Sequence, residues 1–165
     1  MKMKRFFALA LAGAMCLTLL AGCSKKDADP VDVDLAAFQT ATAEAHPFSN
    51  NFFEVATLDS DEMGVIEMFY PGLADAAEEA VIYSSMVMQN SEMALVKAKD
   101  ADSVKTVEQI LNDRVTAMTK EGVNYPEVVE VWSTSSSVVS NGNYVMLIAH
   151  EENQAIVDEF NALFK

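Results

Sequence analysis

Four stretches of the chain carry hydrophobic residues at the intervals of an α-helix, with polar residues between them. They are Asp32–Ala45, Asp59–Tyr70, Asp102–Glu121 and Glu151–Phe164. The clearest apolar stripe lies in the third stretch and consists of Val104, Val107, Leu111 and Met118. A further stretch, Tyr125–Trp132, predicts a short helix. Each of these helices has one apolar side, so each is predicted to pack against a neighbouring element.

The predicted helix ends rest on capping residues and helix breakers. Asp102 or Ser103 is expected to cap the third helix, and Asp59 and Glu62 have the spacing of a capping box. His46-Pro47 is expected to end the first helix, because the residue before a proline is disfavoured in the α conformation.

Four further stretches have the composition of β-strands. They are Glu79–Met88, Met93–Lys99, Ser137–Ser140 and Asn143–His150. Asn141-Gly142 joins the last two and is a strong hairpin signal. Because Glu79–Met88 is apolar at both odd and even positions, both faces of the sheet are predicted to be covered, by the N-terminal helices, by a partner or by a second copy.

Together these elements predict an α+β fold. The expected sheet has four antiparallel strands from two hairpins in a repeated β-β-α order, with helices on one or both faces and two short helices at the N-terminal side. A single domain is expected over residues 31–165, with no internal repeat of the solenoid type.

The first residues have the pattern of a bacterial lipoprotein signal peptide. Three basic residues (Lys2, Lys4 and Arg5) precede the apolar run Phe6–Leu20, and Leu20-Ala21-Gly22-Cys23 matches a lipobox at every position. We therefore expect cleavage between Gly22 and Cys23. The alternative is an uncleaved membrane-spanning helix, for which Phe6–Cys23 is at the lower limit of length.

Cleavage would leave Cys23 as the lipid attachment residue and residues 23–30 as a flexible tether. Cys16 would leave with residues 1–22, so the mature chain would have no disulfide and no free thiol. Two acyl chains make a stable anchor. The expected location is the extracytoplasmic face of the cell membrane.

The net charge restricts the classes of molecule that the protein is expected to bind. The chain has 11 basic and 25 acidic residues and a net charge of −14, which becomes −17 when Lys2, Lys4 and Arg5 are removed. Such a domain is not expected to bind nucleic acid. A basic partner or a cationic ligand would be attracted, although an acidic surface also serves solubility alone.

Three basic residues are candidates for anion binding. Lys97 and Lys99 are two residues apart on a predicted strand and share a face, and Arg114 could complete a site for a carboxylate or a phosphate. The alternative is ion pairing with neighbouring acidic residues, namely Asp100, Asp102 and Glu108.

Other chemistry has little support in the sequence. His46 and His150 are the only histidines and would form a metal site only if folding brought them together. No cofactor motif and no nucleophile–base pattern is found, so an enzyme is not expected. A perturbed carboxylate beside a histidine in a cleft would change that expectation. The methionines are expected to fill the core rather than bind copper.

The chain also resembles a bacterial lipoprotein family called domain of unknown function 4358, which occurs mostly in Gram-positive bacteria. The matching residues are Glu92-Met93-Ala94-Leu95-Val96-Lys97-Ala98-Lys99-Asp100, Val107, Leu111, Arg114, Tyr125-Pro126-Glu127 and Gly142-Asn143-Tyr144-Val145. The resemblance covers roughly residues 52–164 and the lipobox. It implies a fold and a location, but no catalytic residue.

Three functions are consistent with the sequence. The favoured one is a non-enzymatic, lipid-anchored binding or interaction module, with a protein partner or a second copy of the chain as its partner. The others are a receptor for a small anion or peptide, which would use Lys97, Lys99 and Arg114, and an enzyme with an unfamiliar site.

Overall fold

The fold is taken from a computed structural model that describes residues 31–48, 53–61, 63–85, 90–120 and 124–165. The chain divides into two units, Met1–Val31 and Asp32–Lys165. Only Val31 of the first unit is described, so the predicted signal peptide, Cys23 and the tether lie outside the described residues. Within the described ranges, no helix has both the length and the apolar character needed to cross a membrane.

The second unit alternates helices with an antiparallel sheet. In chain order, its elements are α1 (Leu35–Ala45), β1 (Phe53–Thr57), α2 (Met63–Phe69), α3 (Leu73–Ala76), β2 (Ala77–Ser85), β3 (Glu92–Ala98), α4 (Ala101–Met118), α5 (Pro126–Thr134), β4 (Ser136–Asn141), β5 (Tyr144–Ala149) and α6 (Asn153–Ala162). The predicted α+β class is therefore correct.

The sheet has five strands in the order β1-β2-β3-β5-β4, and every neighbouring pair is antiparallel. The prediction of four strands was wrong because it lacked β1. This strand has only five residues, and Ala56 is its only fully buried side chain. It is held mainly by its backbone pairing with β2, from Phe53 opposite Ser85 to Thr57 opposite Val81. A strand of this kind has too few buried apolar residues to be recognised from the hydrophobic pattern.

Helices cover both faces of the sheet. On one face, which we call the α2–α5 face, the core contains Ala94 and Val96 of β3 together with residues of α2, α3, α4 and α5. On the other, the α1/α6 face, Met93 and Leu95 pack with residues of α1 and α6. Successive strand residues point to opposite faces, so two covered faces explain why the middle of a central strand, such as Met93–Val96 of β3, is apolar at every position.

Several predicted boundaries need correction. The helix predicted over Asp59–Tyr70 begins only at Met63, because Asp59 accepts a hydrogen bond from the Thr57 hydroxyl (2.7 Å) in the turn after β1 and caps no helix. Glu62 lies outside the described residues. The cap of α4 is Asp100, whose carboxylate accepts from the Ser103 backbone N–H at 2.8 Å, and not Asp102 or Ser103.

The second predicted hairpin is present. Asn141 pairs with Tyr144 across a loop of Gly142 and Asn143. Gly142 has a φ of +58°, a conformation that glycine adopts readily and tight hairpin loops require. The first predicted hairpin is also antiparallel, between β2 and β3, but residues 86–89, which include the end of the predicted strand Glu79–Met88, lie outside the described part.

Candidate functional site

A buried ion pair lies between the sheet and α4, on the α2–α5 face. Arg114 contacts both carboxylate oxygens of Glu92, through Nε at 3.0 Å and through its terminal nitrogen at 2.6 Å. The hydroxyl of Tyr70 donates to the same carboxylate. We call these three residues the buried triad. Glu92 begins β3, Arg114 lies on the inner side of α4 and Tyr70 follows α2, so three separate segments meet here.

The buried triad is almost completely removed from solvent. Tyr70 and Glu92 are 0% exposed and Arg114 is 8% exposed. The guanidinium carbon of Arg114 lies 4.3 Å from the centre of the Phe69 ring and 5.5 Å from that of Trp132. Aromatic faces attract cations, so these rings supply part of the environment that water would otherwise provide.

The pKa values within the triad reflect burial and mutual attraction. Burial is the largest single influence on Arg114 and lowers its pKa, but the charge and hydrogen bonds of Glu92, together with Tyr70, outweigh burial, so the pKa of the guanidinium is raised from its ordinary value. Burial, reinforced by the charge of Glu92, raises the pKa of Tyr70 well above its usual range. Arg114 therefore stays charged and the Tyr70 hydroxyl stays protonated, as a hydrogen-bond donor.

The three residues predicted to bind an anion are not brought together. Lys97 Nζ lies 3.4 Å from Asp32 and 3.3 Å from Glu78, on the α1/α6 face, whereas Arg114 binds Glu92 on the opposite face. Lys99 lies beyond the end of β3 and donates to the carbonyl oxygens of α3. Anion binding by these residues stays a prediction that no contact in the described residues supports.

The alternative, ion pairing with neighbouring acids, holds only in part. Lys97 and Arg114 pair with other acids, whereas the charge of Lys99 contributes to the lowered pKa of Asp100, which was one of the named neighbours. Asp100 caps α4, and Glu108 accepts from the Ser140 hydroxyl at 2.6 Å. Lys97 and Arg114 instead pair with acidic residues that are distant in sequence, because strand pairing and helix packing determine which side chains come into contact.

Folding does bring the two histidines together, at the α1/α6 edge of the molecule. The ring centres of His46 and His150 are 6.3 Å apart. His46 follows α1 and lies between two carboxylates, with Nδ1 at 2.9 Å from Glu152 and Nε2 at 3.1 Å from Glu159 of α6. We call His46, His150, Glu152 and Glu159 the histidine cluster.

The cluster combines a buried ring with exposed acids. The His46 side chain is 11% exposed, whereas those of Glu152 and Glu159 are 58% and 49% exposed. The hydrogen bond to Glu152, aided by Glu159, raises the pKa of His46 above its ordinary value although burial opposes this. The same hydrogen bond lowers the pKa of Glu152. At mildly acidic pH, His46 is therefore a cation that links the end of α1 to α6.

His150 has the hydrogen-bond pattern of a neutral imidazole. Its Nδ1 accepts from the Glu152 backbone N–H at 3.0 Å, so the proton belongs on Nε2, which lies 3.3 Å from the Pro47 carbonyl oxygen. Its ring also packs against Phe48, with the ring centres 4.9 Å apart. These contacts fix His150 as a structural link between the α1 end and the turn before α6.

A cavity of about 360 Å³ lies beside the histidine cluster. It is lined by Pro47, Asn90, Ser91, Val131, His150, Glu151 and Glu152. The carboxylates of Glu151 and Glu152 make the cavity suited to a small polar or cationic molecule rather than to an anion.

Within the described ranges, no group of three or more histidine, cysteine or acidic side chains has the arrangement of a metal site. His46 shows why, because its two nitrogens point to different carboxylates in opposite directions.

Sequence reasoning missed the two clusters to different degrees. Glu92 and Tyr70 were not proposed as site residues, although Glu92 begins the segment that resembles the family and precedes the four apolar residues Met93–Val96. His46 and His150 were named, but their contact could not be deduced from the sequence because they are 104 positions apart.

The prediction that methionines fill the core holds for Met93, Met118 and Met146 but not for Met63 and Met68, which are 48% and 64% exposed.

One comparison with known proteins gives a match. The family model described as domain of unknown function (DUF4358) matches residues 58–150. This range contains the buried triad, whereas His46, Glu152 and Glu159 lie outside it. No curated protein and no solved structure matches the chain. The match agrees with the resemblance identified from the sequence, and it assigns no activity.

Proposed function

The chain belongs to the family described as domain of unknown function (DUF4358), and we propose that this member is a lipid-anchored, extracytoplasmic protein that serves as a binding or interaction module. The observation that carries the anchor is the segment Leu20-Ala21-Gly22-Cys23 behind a basic and then apolar N-terminus. Diacylglycerol on Cys23 would hold the domain at the outer face of the cell membrane, and residues 23–30 would space it from the lipid.

Support for a binding role over an enzymatic one comes from how the reactive side chains are used. Arg114 and Tyr70 are both bound to Glu92 in a dry site. Both ring nitrogens of His46 face carboxylates, and Nδ1 of His150 accepts a backbone N–H. These contacts hold elements of the fold together. The net charge of −17 on the mature chain repels acidic surfaces, so a partner is expected to contact the domain through a basic or an uncharged surface.

The anchor is tested by cell fractionation of three full-length chains, namely the natural chain, Cys23→Ala and Cys16→Ala. We expect the natural chain in the membrane fraction, with a mature N-terminus at Cys23 and the added mass of a diacylglycerol. Cys23→Ala should abolish the modification and the cleavage. Cys16→Ala, the matched control, should change neither. A membrane-bound chain that still begins at Met1 would contradict the proposal and support an uncleaved membrane-spanning helix.

The interaction role is tested by crosslinking in cells, followed by mass spectrometry of the recovered complexes. We expect a stoichiometric complex with a partner or with a second copy. Recovery of the anchored chain as a monomer alone would contradict the interaction role. It would direct the search to small ligands of the cavity beside His150.

A second candidate, an acid–base enzyme, is favoured by one observation. Glu152 has a lowered pKa, contacts His46 and lines the cavity beside His150. An enzyme of this kind would lose its activity in Glu152→Gln and keep it in Glu151→Gln, a neighbouring carboxylate at the same cavity. The engagement of both His46 nitrogens makes this candidate the weaker one.

A further inference from the structure

The strand β4 forms one edge of the sheet and presents free backbone groups to the outside. In its pairing with β5, the His150 N–H donates to the Ser135 carbonyl oxygen, and Asn141 pairs with Tyr144 at the hairpin end. Because hydrogen-bonded positions alternate along an antiparallel pair, Ser137 and Val139 face β5, whereas Ser136, Val138 and Ser140 direct their N–H and C=O groups outward. In the described part of the chain, no other group bonds to these outward backbone atoms.

This edge also lies in a stretch without charge. No Asp, Glu, Lys or Arg occurs from Ser133 to His150, in a chain of which 22% of the residues are charged. Exposed edge strands are usually protected against pairing by charged residues, proline or bulges. The other edge strand, β1, has a glutamate at Glu54, but β4 has none of these devices and keeps a regular register.

We propose that β4 is the interface through which two copies of this chain pair, edge to edge and antiparallel, around a two-fold axis at Val138. This inference deepens the interaction role proposed above and names the partner. Ser136 of each copy would pair with Ser140 of the other, and the two sheets would form one sheet of ten strands. An isologous contact of this kind closes on itself and does not propagate.

The absence of charged residues on β4 is the reason that a second copy of this acidic chain fits this edge. Two domains that each carry −17 repel each other over most of their surfaces, and an uncharged seam is where they can approach. Glu108 is the acid bonded to β4, at Ser140. In the proposed register, the two Ser140 residues are offset by four positions, or roughly 13 Å along the strands. That distance exceeds the Debye length of about 8 Å at physiological salt, so the two Glu108 charges are largely screened from each other.

The flanking helix α6 is also suited to this contact. Both of its side chains that contact polar side chains of β4 are uncharged, since Asn153 bonds to Ser137 and Asn161 lies 3.5 Å from Asn141. A two-fold axis perpendicular to the sheet keeps both α1/α6 faces on the same side. Asp32, at the beginning of the second unit, contacts Lys97 on that face. Both copies would therefore begin on one side of the ten-stranded sheet, which allows one membrane to hold both anchors.

The first test measures the mass of the purified full chain in detergent by light scattering, for two variants at one exposed position. Ser140→Pro removes an outward N–H that would bond to the second copy, but it takes no hydrogen bond from the β4–β5 pair. Ser140→Ala removes the contact with Glu108 and keeps the N–H. We expect dimers for the natural chain and for Ser140→Ala. In Ser140→Pro two intermolecular hydrogen bonds are lost, so the dissociation constant should rise about tenfold or more.

The second test uses disulfide formation in membranes and does not depend on how proline is tolerated. Val138→Cys places the new thiols opposite each other, at Cα atoms about 5.5 Å apart, within the range of a disulfide. Val55→Cys, on the edge strand β1, is the matched control. We expect a crosslinked dimer for Val138→Cys and none for Val55→Cys. The cysteine variants retain Cys23 so that anchoring is unchanged.

Two outcomes would overturn the inference. One is a natural chain that stays monomeric up to about 100 μM and gives no Val138→Cys dimer. The other is a dimer, or a complex with a different protein, that forms equally well with Ser140→Pro. Either result leaves the anchor untouched, because the fractionation of Cys23→Ala reports on it separately. A complex with a different protein that is independent of β4 would keep the interaction role and reject this partner.

Discussion

The two faces of the sheet hold their charged groups in opposite ways. On the α2–α5 face, Glu92 and Arg114 are buried with Tyr70 and surrounded by aromatic rings. On the α1/α6 face, His46 is buried, but both of its acidic partners are about half exposed. Arg114 in the first site stays charged because its pKa is raised, whereas the second site loses its cation as the pH rises through the raised pKa of His46.

This difference shows how burial changes the meaning of an ion pair. A charge in a dry site is stable only with its partner, so removal of one member leaves a charge that neither water nor protein compensates. A charge at the rim can be hydrated when its partner is lost, so the same removal has a small effect. We therefore expect the α2–α5 face to set the stability of the fold and the α1/α6 face to set its dependence on pH.

The largest effect is expected for Arg114→Met. It leaves the Glu92 carboxylate buried without its cation, and the free energy of unfolding should fall by about 3–5 kcal/mol. Denaturant-induced unfolding of the purified chain measures this loss. Glu92→Met combined with Arg114→Met should be less destabilising than Arg114→Met alone, because no unpaired charge remains. A double variant that is less stable than the single one would contradict the role of charge.

The next largest effect is expected for Tyr70→Phe. It keeps the buried ring and removes only the hydroxyl that donates to Glu92, and hydrogen bonds to charged groups contribute about 1.5–3 kcal/mol. The free energy of unfolding should fall within that range. Tyr125→Phe, at a ring that is 69% exposed, is the matched control and should leave stability unchanged. Equal effects of the two changes would show that the hydroxyl of Tyr70 contributes nothing specific.

A pH-dependent effect is expected for His46→Gln. The raised pKa of His46 makes its contribution complete below about pH 6.5 and lost as the pH rises through the folded-state pKa. The lowered pKa of Glu152 makes its contribution present above about pH 4.5 and lost as the pH falls through the folded-state pKa. The natural chain should therefore exceed the variant in melting temperature most clearly between these values.

Melting temperatures of the natural chain and of His46→Gln across pH 4–9 measure this difference. The other groups that face His46 are Glu159 and the ring of His150. Glu151→Gln, which removes an exposed neighbouring carboxylate, should keep the pH profile of the natural chain. A constant difference between the natural chain and His46→Gln at every pH would indicate packing, and not charge, as the contribution of His46.

The smallest effect is expected for Lys97→Met. Its contacts with Asp32 and Glu78 are long, at 3.4 and 3.3 Å, and both acids are largely exposed. Exposed pairs of this kind contribute about 0–1 kcal/mol, so the free energy of unfolding should change by no more than that. A loss comparable to that of Arg114→Met would remove the distinction between the two faces.

The helices and the order of the elements were largely predictable because each is encoded locally. The stripe of α4 contains three residues predicted to be buried, Val107, Leu111 and Met118, and the fourth, Val104, is partly buried. The strand β1 was missed because its stability comes from pairing with β2 and not from its own pattern. The same limit applied to the predicted anion site, because only the fold places Lys97 and Arg114 on opposite faces of the sheet and Lys99 beyond the end of β3.

The sequence by itself determined the helices, the hairpin at Gly142, the strong negative charge and the lipobox pattern, because these depend on neighbouring residues or on composition. Only the tertiary structure decided that Arg114 binds Glu92 and Tyr70, that His46 meets Glu152 and Glu159, and that β4 ends at an open edge. Contacts between distant residues depend on strand order and helix packing. Both are properties of the whole core, and the local pattern of residues does not contain them.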